Sequence, residues 1–181
     1  MTSNLGRALS GALIALTTLG SAPAAFAQES TNQVAVMTDW SVFTEPKEGT
    51  PTECWGVAKP KESVNTRDGK PVTARRGDIL LFVTFKAGGG GKGEVSFSGG
   101  YPFAPGSTVN FTIDGNSFEL FTDGEFAWTA NGEEDTAVLA AMQKGTTAVL
   151  TGRSAKGTQT VDTISLRGFT AAMEDAGKRC Q

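Results

Sequence analysis

The sequence predicts a mainly β fold, a β-sandwich with two short helices, one of which is C-terminal. Apolar and polar residues alternate strictly over residues 107–114, as they do in a strand with one buried face. Asp-Gly pairs at 114–115 and 123–124 separate three short apolar segments, which is typical of strands joined by tight turns. Only two segments carry helix start and stop signals, so a sandwich is favoured over a doubly wound α/β fold.

The first 27 residues have the pattern of a secretory signal peptide. Arg7 precedes an apolar stretch over residues 8–19, and small residues lead to a cleavage position after Ala27. The apolar stretch is shorter than the roughly 20 residues that a membrane-spanning helix needs. We therefore expect export to the periplasm or beyond, no transmembrane helix in the mature chain, and one domain over residues 28–181.

Three apolar segments in the first half of the chain are predicted as strands. Apolar residues share one parity from Val34 to Val42, and residues 54–57 are expected to pair with that first strand. Residues 79–85 are apolar on both faces, which is typical of a strand in the centre of a sheet or beneath a helix. The tryptophans share parity with apolar neighbours or lie on the strand that bears Cys54, and we interpret them chiefly as core residues: Trp40, Trp55 and Trp128.

The second half of the chain reads as a β-meander followed by a hairpin. The strand over 107–114 leads into apolar segments near 118–120 and 126–128, with the Asp-Gly turns between them. Residues 147–152 and 158–166 then flank a Ser-Ala-Lys-Gly turn and predict the hairpin.

The two helices have distinct signals. Asn131 can cap a helix that has acidic residues in its first turn and ends at Lys144-Gly145, in agreement with the helix dipole and C-cap rules. The second helix is predicted from about Thr170 to Arg179. Its apolar residues fall on one face together with Cys180, so we expect this cysteine to point toward the sheet.

Composition excludes several classes of function. The net charge is −3, which disfavours generic binding to nucleic acid. The chain has no histidine, so the commonest general base and the commonest transition-metal ligand are both missing. Histidine-dependent catalytic triads are excluded, and we predict no catalytic residues, no metal and no cofactor.

Cys54 and Cys180 are the only cysteines, and both lie in the segment that would be exported. Thiols can be oxidised outside the cytosol. Two cysteines without histidine cannot complete a zinc shell, and there is no C-x-x-C spacing. We predict a structural disulfide, which on the chain-entropy model stabilises the fold by about 4–5 kcal/mol.

Carboxylates offer the remaining route to catalysis. Glu119, Asp123 and Glu125 surround the second Asp-Gly turn, and glycosidases use two such groups across a cleft. These acids alternate with apolar residues, as on the solvent side of a hairpin, and we favour that interpretation. A carboxylate-dependent hydrolase of cell-wall glycan stays as the alternative function.

Two segments are candidates for a binding surface. The segment 59–76 carries six basic and two acidic residues in an acidic chain, including Arg67, Arg75 and Arg76. Such asymmetry can mark a surface for anionic headgroups, polysaccharide or an acidic protein. We favour the interpretation that these charges, spread over a long and turn-rich segment, keep the following strand soluble. The loop that holds Tyr101 and Phe103 is bracketed by glycine and proline. It either presents its rings to a partner or folds them back over the end of the sandwich.

Several ordered blocks of residues extend over nearly the whole mature chain. They are Trp40-Ser41-Val42-Phe43, Glu53-Cys54-Trp55-Gly56, Arg75-Arg76-Gly77-Asp78-Ile79, Gly99-Gly100-Tyr101-Pro102-Phe103, and Leu166-Arg167-Gly168-Phe169-Thr170-Ala171-Ala172 with Cys180. Together these blocks resemble the invasion-associated locus B family. The resemblance implies an exported, envelope-associated α-proteobacterial protein with an immunoglobulin-like β-sandwich, in a family named for a member that aids entry into host cells. It implies no catalytic residues.

The function expected from these observations is non-catalytic binding or structural support at the cell envelope, with a role in contacts to a host cell or another surface. The expected partner is an envelope or host-surface protein or a polysaccharide. A periplasmic chaperone-like factor is a further alternative, beside the glycan hydrolase.

Overall fold

The computed structural model describes residues 31–181. The expected signal peptide and its cleavage position lie outside the described residues. Among the residues that are described, no helix has the length and apolar character needed to cross a bilayer.

Twelve strands and two helices make up the described chain. In order they are β1 (Gln33–Met37), β2 (Trp40–Glu45), β3 (Glu53–Ala58), β4 (Glu62–Arg67), β5 (Lys70–Pro71), β6 (Leu80–Lys86), β7 (Gly93–Ser98), β8 (Thr108–Ile113), β9 (Asn116–Asp123), β10 (Phe126–Trp128), α1 (Gly132–Lys144), β11 (Thr147–Arg153), β12 (Gln159–Ser165) and α2 (Phe169–Arg179). The predicted mainly β class with a C-terminal helix is confirmed.

The strands form one antiparallel sheet in the order β1-β2-β3-β6-β7-β10-β9-β8-β11-β12-β4-β5. β3 and β4 lie far apart in this order, yet only residues 59–61 connect them. The sheet therefore folds back on itself, and the backbone amide of Lys61 reaches the carbonyl oxygen of Thr163 at 2.8 Å. The sandwich is thus built from a single continuous sheet, whereas an immunoglobulin domain packs two separate sheets.

The inner faces of the strands meet in one hydrophobic core. The predicted alternation of β8 is confirmed, because Val109, Phe111 and Ile113 are buried. β6 lies between β3 and β7, as expected of a central strand, and buries Leu81 and Val83. The predicted meander β8-β9-β10 and the hairpin β11-β12 are present with their Asp-Gly and Ser-Ala-Lys-Gly turns.

Both helices cover the inner face of the sheet. α1 begins as predicted, with the Asn131 side chain accepting hydrogen bonds from the backbone amides of Glu133 and Glu134. α2 packs mainly on β2 and β3. It starts after Gly168, whose φ of 88° and close approach to the carbonyl oxygen of Met37 leave no room for a side chain.

The predicted disulfide joins Cys54 on β3 to Cys180 at the end of α2, with 126 residues of sequence separation. Both cysteines are buried. The bond fastens the last element of the chain to an early strand, so α2 cannot leave the sheet without breaking it.

Three expectations about the strands were wrong. The apolar residues from Val34 to Val42 form a hairpin of two strands, because the chain turns at Thr38 with a φ of 59° and pairs Met37 with Trp40. Trp128 is 40% exposed, since the small Ala127 takes the inward position of β10.

Trp55 also differs from its predicted place in the core. It alternates with Cys54, which is drawn inward by its bond to α2, and so Trp55 lies on the outer face, where it stacks on Phe43 at 5.6 Å. Trp40 is fully buried, as expected, and its ring meets Phe169 edge-on at 4.9 Å.

Candidate functional site

A cleft of about 580 Å³ lies where the loops after β5 and β7 meet the turns that join β9 to β10 and β11 to β12. We call it the basic cleft. Its lining includes residues 72–76, 100–102 and 154–156, together with Arg67, Thr158 and Thr160.

A close approach of two backbone segments builds one side of the basic cleft. The amide of Gly77 donates to the carbonyl oxygen of Gly100 at 2.8 Å. Gly100 has a φ of 69°, and a Cβ at this position would lie 2.6 Å from the carbonyl oxygen of Gly77. Glycine is therefore required where residues 72–76 are held against the 100–102 loop.

A buried ion pair supports the cleft from below. Arg76 donates from both terminal nitrogens to Asp162, at 2.8 and 2.6 Å, and from Nε to the carbonyl oxygen of Gly99 at 2.9 Å. Asp162 also accepts from the Ser63 hydroxyl at 2.7 Å. The two charges are paired and their hydrogen-bonding groups are engaged, which is what burial of charge requires.

The aromatic loop folds its rings inward, the second of the two arrangements that the sequence allowed. Tyr101 and Phe103 are 8% and 5% exposed and meet edge to face at 5.0 Å. The Tyr101 hydroxyl lies 2.5 Å from the Thr160 hydroxyl, and the Arg76 guanidinium sits 5.0 Å from the ring centroid. Burial raises the pKa of the Tyr101 phenol, which stays neutral at physiological pH.

Three exposed cations line the cleft without an acidic partner within residues 31–181. They are Arg67, Arg75 and Lys156. Arg67 donates to the Thr158 hydroxyl at 2.7 Å, a neutral acceptor that leaves its charge uncompensated. Glu125 is the one carboxylate among the described lining residues. The cleft therefore carries excess positive charge.

The structure brings four of the five sequence candidates to one place. Arg67, Arg75, Arg76 and Tyr101 line the basic cleft, although Arg76 is engaged with Asp162 and contributes little free charge. The fifth, Phe103, is in the core behind Tyr101 and is not part of the lining.

Sequence reasoning missed Lys156 and the buried partner Asp162. Lys156 lies in the turn between β11 and β12, which was interpreted only as a hairpin turn. Asp162 is 86 residues from Arg76 in sequence. The two meet only because β12, which carries Asp162, pairs with β4 in the folded sheet. No local signal marks a contact of this kind.

The carboxylates considered for catalysis are solvent-exposed, as the favoured interpretation expected. Glu119 accepts a hydrogen bond from the Thr108 hydroxyl at 2.7 Å across two strands. Of the three acids, only Glu125 lines the basic cleft. Residues 31–181 hold no cluster of three or more acidic, cysteine or histidine side chains placed to bind a metal.

A second concave surface lies on the outer face of β2, β3 and β6. It encloses about 750 Å³ and displays the stacked Phe43 and Trp55 beside Phe82. Its rim charges pair with each other, as in the 2.6 Å contact between Lys61 and Asp39. The hydrogen bond from Lys61 holds the pKa of the Asp39 carboxyl below its usual range. Each charged residue that lines this surface pairs with an opposite charge within residues 31–181, so the surface lacks the excess positive charge of the basic cleft.

Comparisons with known proteins identify the family. Residues 40–177 match the family model described as "Invasion associated locus B (IalB) protein". Among solved structures, the chain is similar to the crystal structure of invasion associated protein B from Bartonella henselae. The two chains are 16% identical, with a TM-score of 0.52 over 78% of this chain and 94% of that one, a likeness of fold alone. No curated protein matches the chain. Because the family model covers most of its length, the chain belongs to the invasion associated locus B family.

Proposed function

We propose that the protein is an exported, envelope-associated protein that acts by binding an anionic partner in the basic cleft and not by catalysis. The observation that carries the proposal is a set of three cations around one cavity, Arg67, Arg75 and Lys156, none of which forms an ion pair within residues 31–181. The volume of about 580 Å³ is within the range of ligand sites.

The location of the cations in an acidic protein supports an anionic partner. The chain as a whole has a net charge of −3, so this excess of positive charge is local. Charged clefts concentrate ligands of opposite sign and accelerate their association. The partner that fits best is an acidic group of an envelope or host-surface molecule.

The alternative of a glycan hydrolase finds less support in the cleft. Glycoside hydrolysis commonly requires two carboxyl groups on opposite sides of the bond that is cleaved. Glu125 is the one carboxylate of the described lining. The nearby Asp162 is buried, and both of its carboxylate oxygens accept hydrogen bonds from the Arg76 guanidinium. This arrangement favours binding over turnover.

The disulfide and the family support a site of action outside the cytosol. Disulfides persist in oxidising compartments such as the periplasm and the extracellular space. The solved relative from Bartonella henselae is described as invasion associated. For this chain we propose a periplasmic or surface location and a role in contacts with a partner at the envelope or on a host surface.

Photocrosslinking in living cells tests the proposal. A photoreactive residue replaces Ala155, an exposed residue of the cleft lining, and the matched control carries it at Lys92, an exposed lysine in the glycine-rich loop between β6 and β7. We expect an adduct from the cleft position that is absent from the control and is lost when Arg75 is also changed to Glu. Equal adducts from both positions, or none from the cleft, would overturn the proposal.

Turnover is tested separately with purified protein. Peptidoglycan fragments and other acidic glycans are incubated with the wild type and with Glu125→Gln. We expect no products from either protein. Release of new reducing ends by the wild type alone would replace binding by hydrolysis as the function.

A further inference from the structure

Part of the backbone that follows β5 has no hydrogen-bond partner in the described part of the chain. Val72 donates to the Asn65 carbonyl oxygen at 2.9 Å, and Gly77 donates to that of Gly100 at 2.8 Å. Between them, no hydrogen bond within residues 31–181 engages the amide or carbonyl of residues 73–75. Backbone groups of this kind normally find a partner in a strand, a side chain or water.

This free backbone faces the basic cleft. Burial alternates along residues 72–76, with Thr73 and Arg75 exposed and their neighbours half-buried, which is the pattern of an extended chain. Side chains of an extended chain point alternately to opposite sides, yet all five residues line the cleft. The backbone between them must therefore border the cavity.

An extended segment with free amides and carbonyls is a template for one more strand. Peptides bind such edges by main-chain hydrogen bonds, and alternate side chains give the specificity. Here the alternate side chains of the added strand would meet the cations of the cleft, Arg75 on the same segment and Lys156 in the turn between β11 and β12.

We propose that the basic cleft binds an acidic peptide segment in extended conformation, which adds as a strand along residues 73–75. The inference rests on the proposed function, because it names the partner class for the same cleft. Charge complementarity selects an acidic ligand, and the free backbone selects a polypeptide over a polysaccharide or a lipid surface.

The direct test is binding of a synthetic peptide to the purified, disulfide-bonded protein. The probe is a fluorescein-labelled, acetylated peptide of alternating glutamate and valine. Two control peptides have the same length: one replaces every glutamate by lysine, and the other carries N-methyl groups on alternate residues, which remove the amides of one edge. We expect binding of the acidic probe and at least about tenfold weaker binding of both controls.

Variants of the protein distinguish the contribution of the cations to peptide binding from that of the free backbone amides. Arg75→Glu and Lys156→Glu should each weaken binding of the acidic probe by about tenfold, while Lys92→Glu, which lies outside the cleft, should leave binding unchanged. Ala74→Pro removes one free amide without altering charge, and Ala74→Ser keeps that amide. Of these two variants, we expect only Ala74→Pro to weaken binding of the probe.

Other anionic ligands distinguish binding of a peptide from binding of anions in general. Heparin and phosphatidylglycerol vesicles are tested against the same variants. If either binds in a manner that depends on Arg75 and Lys156 while the peptide does not, the peptide inference is overturned and binding in the cleft stands. Equal binding of the N-methylated peptide also overturns it. Loss of the cleft-specific crosslink in cells would overturn the proposed function itself.

Discussion

Arg76 holds Asp162 through two parallel hydrogen bonds of 2.8 and 2.6 Å, and their side chains are 6% and 0% exposed. The pair joins the segment after β5 to β12, two parts of the chain that are 86 residues apart. Because Arg76 also bonds to the carbonyl of Gly99, a single guanidinium connects the segment, the 99–103 loop and β12 beneath the basic cleft.

Removing only one partner of this ion pair should lower the stability of the fold. Arg76→Met leaves the Asp162 carboxylate buried without its cation, and we expect a loss of about 3–5 kcal/mol in the free energy of unfolding. The double variant Arg76→Met with Asp162→Leu removes both charges and should lose less than the single one. Urea unfolding of the three proteins measures this, and a double variant that is less stable than Arg76→Met would contradict it.

The disulfide between Cys54 and Cys180 should provide a large part of the stability. Replacing both cysteines by serine frees a loop with 126 residues of separation, and the chain-entropy model gives a loss of about 5 kcal/mol. Chemical denaturation with and without dithiothreitol provides the control. The reductant should shift the midpoint of the wild type and leave that of the serine variant unchanged; similar midpoints for both proteins without reductant would refute the estimate.

One tryptophan is buried and another is exposed, so replacing each by alanine should change the stability by different amounts. Trp40 is 0% exposed and donates from Nε1 to the carbonyl oxygen of Ser165, so Trp40→Ala should lose about 3–5 kcal/mol. Trp128 is 40% exposed and stacks on Phe126 at the surface, so Trp128→Ala should lose about 1 kcal/mol or less. Iodide should quench Trp128 and spare Trp40. Equal losses of stability would place Trp128 in the core after all.

Asp114 should make folding sensitive to acid. Its carboxylate accepts from the amides of Thr146 and Thr147 at 2.8 and 3.2 Å, and these bonds, that of Thr146 first, lower the pKa of Asp114. Since the folded pKa is below the unfolded one, the stabilisation by this carboxylate is fully present above about pH 5 and is lost progressively as the pH falls through the folded pKa.

The comparison with Asp114→Asn isolates this effect from the other acids. Asparagine tolerates the positive φ of 43° at this position but carries no charge. The wild type should be more stable than the variant at pH 6, and the difference should shrink at pH 3 and below. A difference in unfolding midpoint that is constant over this range would show that the charge is unimportant.

Much of the fold could be predicted from local pattern. The alternation in β8, the Asp-Gly turns and the Asn131 cap are each decided by residues that are close in sequence, so they were visible before any tertiary contact was known. The disulfide was also predictable, because the chain has only two cysteines and its sequence pattern predicts export.

Which face of a strand is buried was decided less locally. Trp128 is larger and more apolar than Ala127, yet it faces outward because β10 pairs with β7 and β9 in a register that sets Ala127 beside the buried Phe97. A shift by one residue exchanges the two faces of a strand, so hydrophobicity alone misplaces a short strand such as β10.

The basic cleft was predictable from the sequence only in part, because its residues meet through tertiary pairing. Its cations could be nominated from composition, but Arg67, Arg75 and Lys156 meet only because the sheet folds back and β4 pairs with β12. The same folding buries Tyr101 and neutralises Arg76, two residues that composition alone would assign to the surface. Periodicity and turn chemistry act between neighbours in sequence, whereas burial and charge pairing depend on distances across the sandwich, which only the folded chain defines.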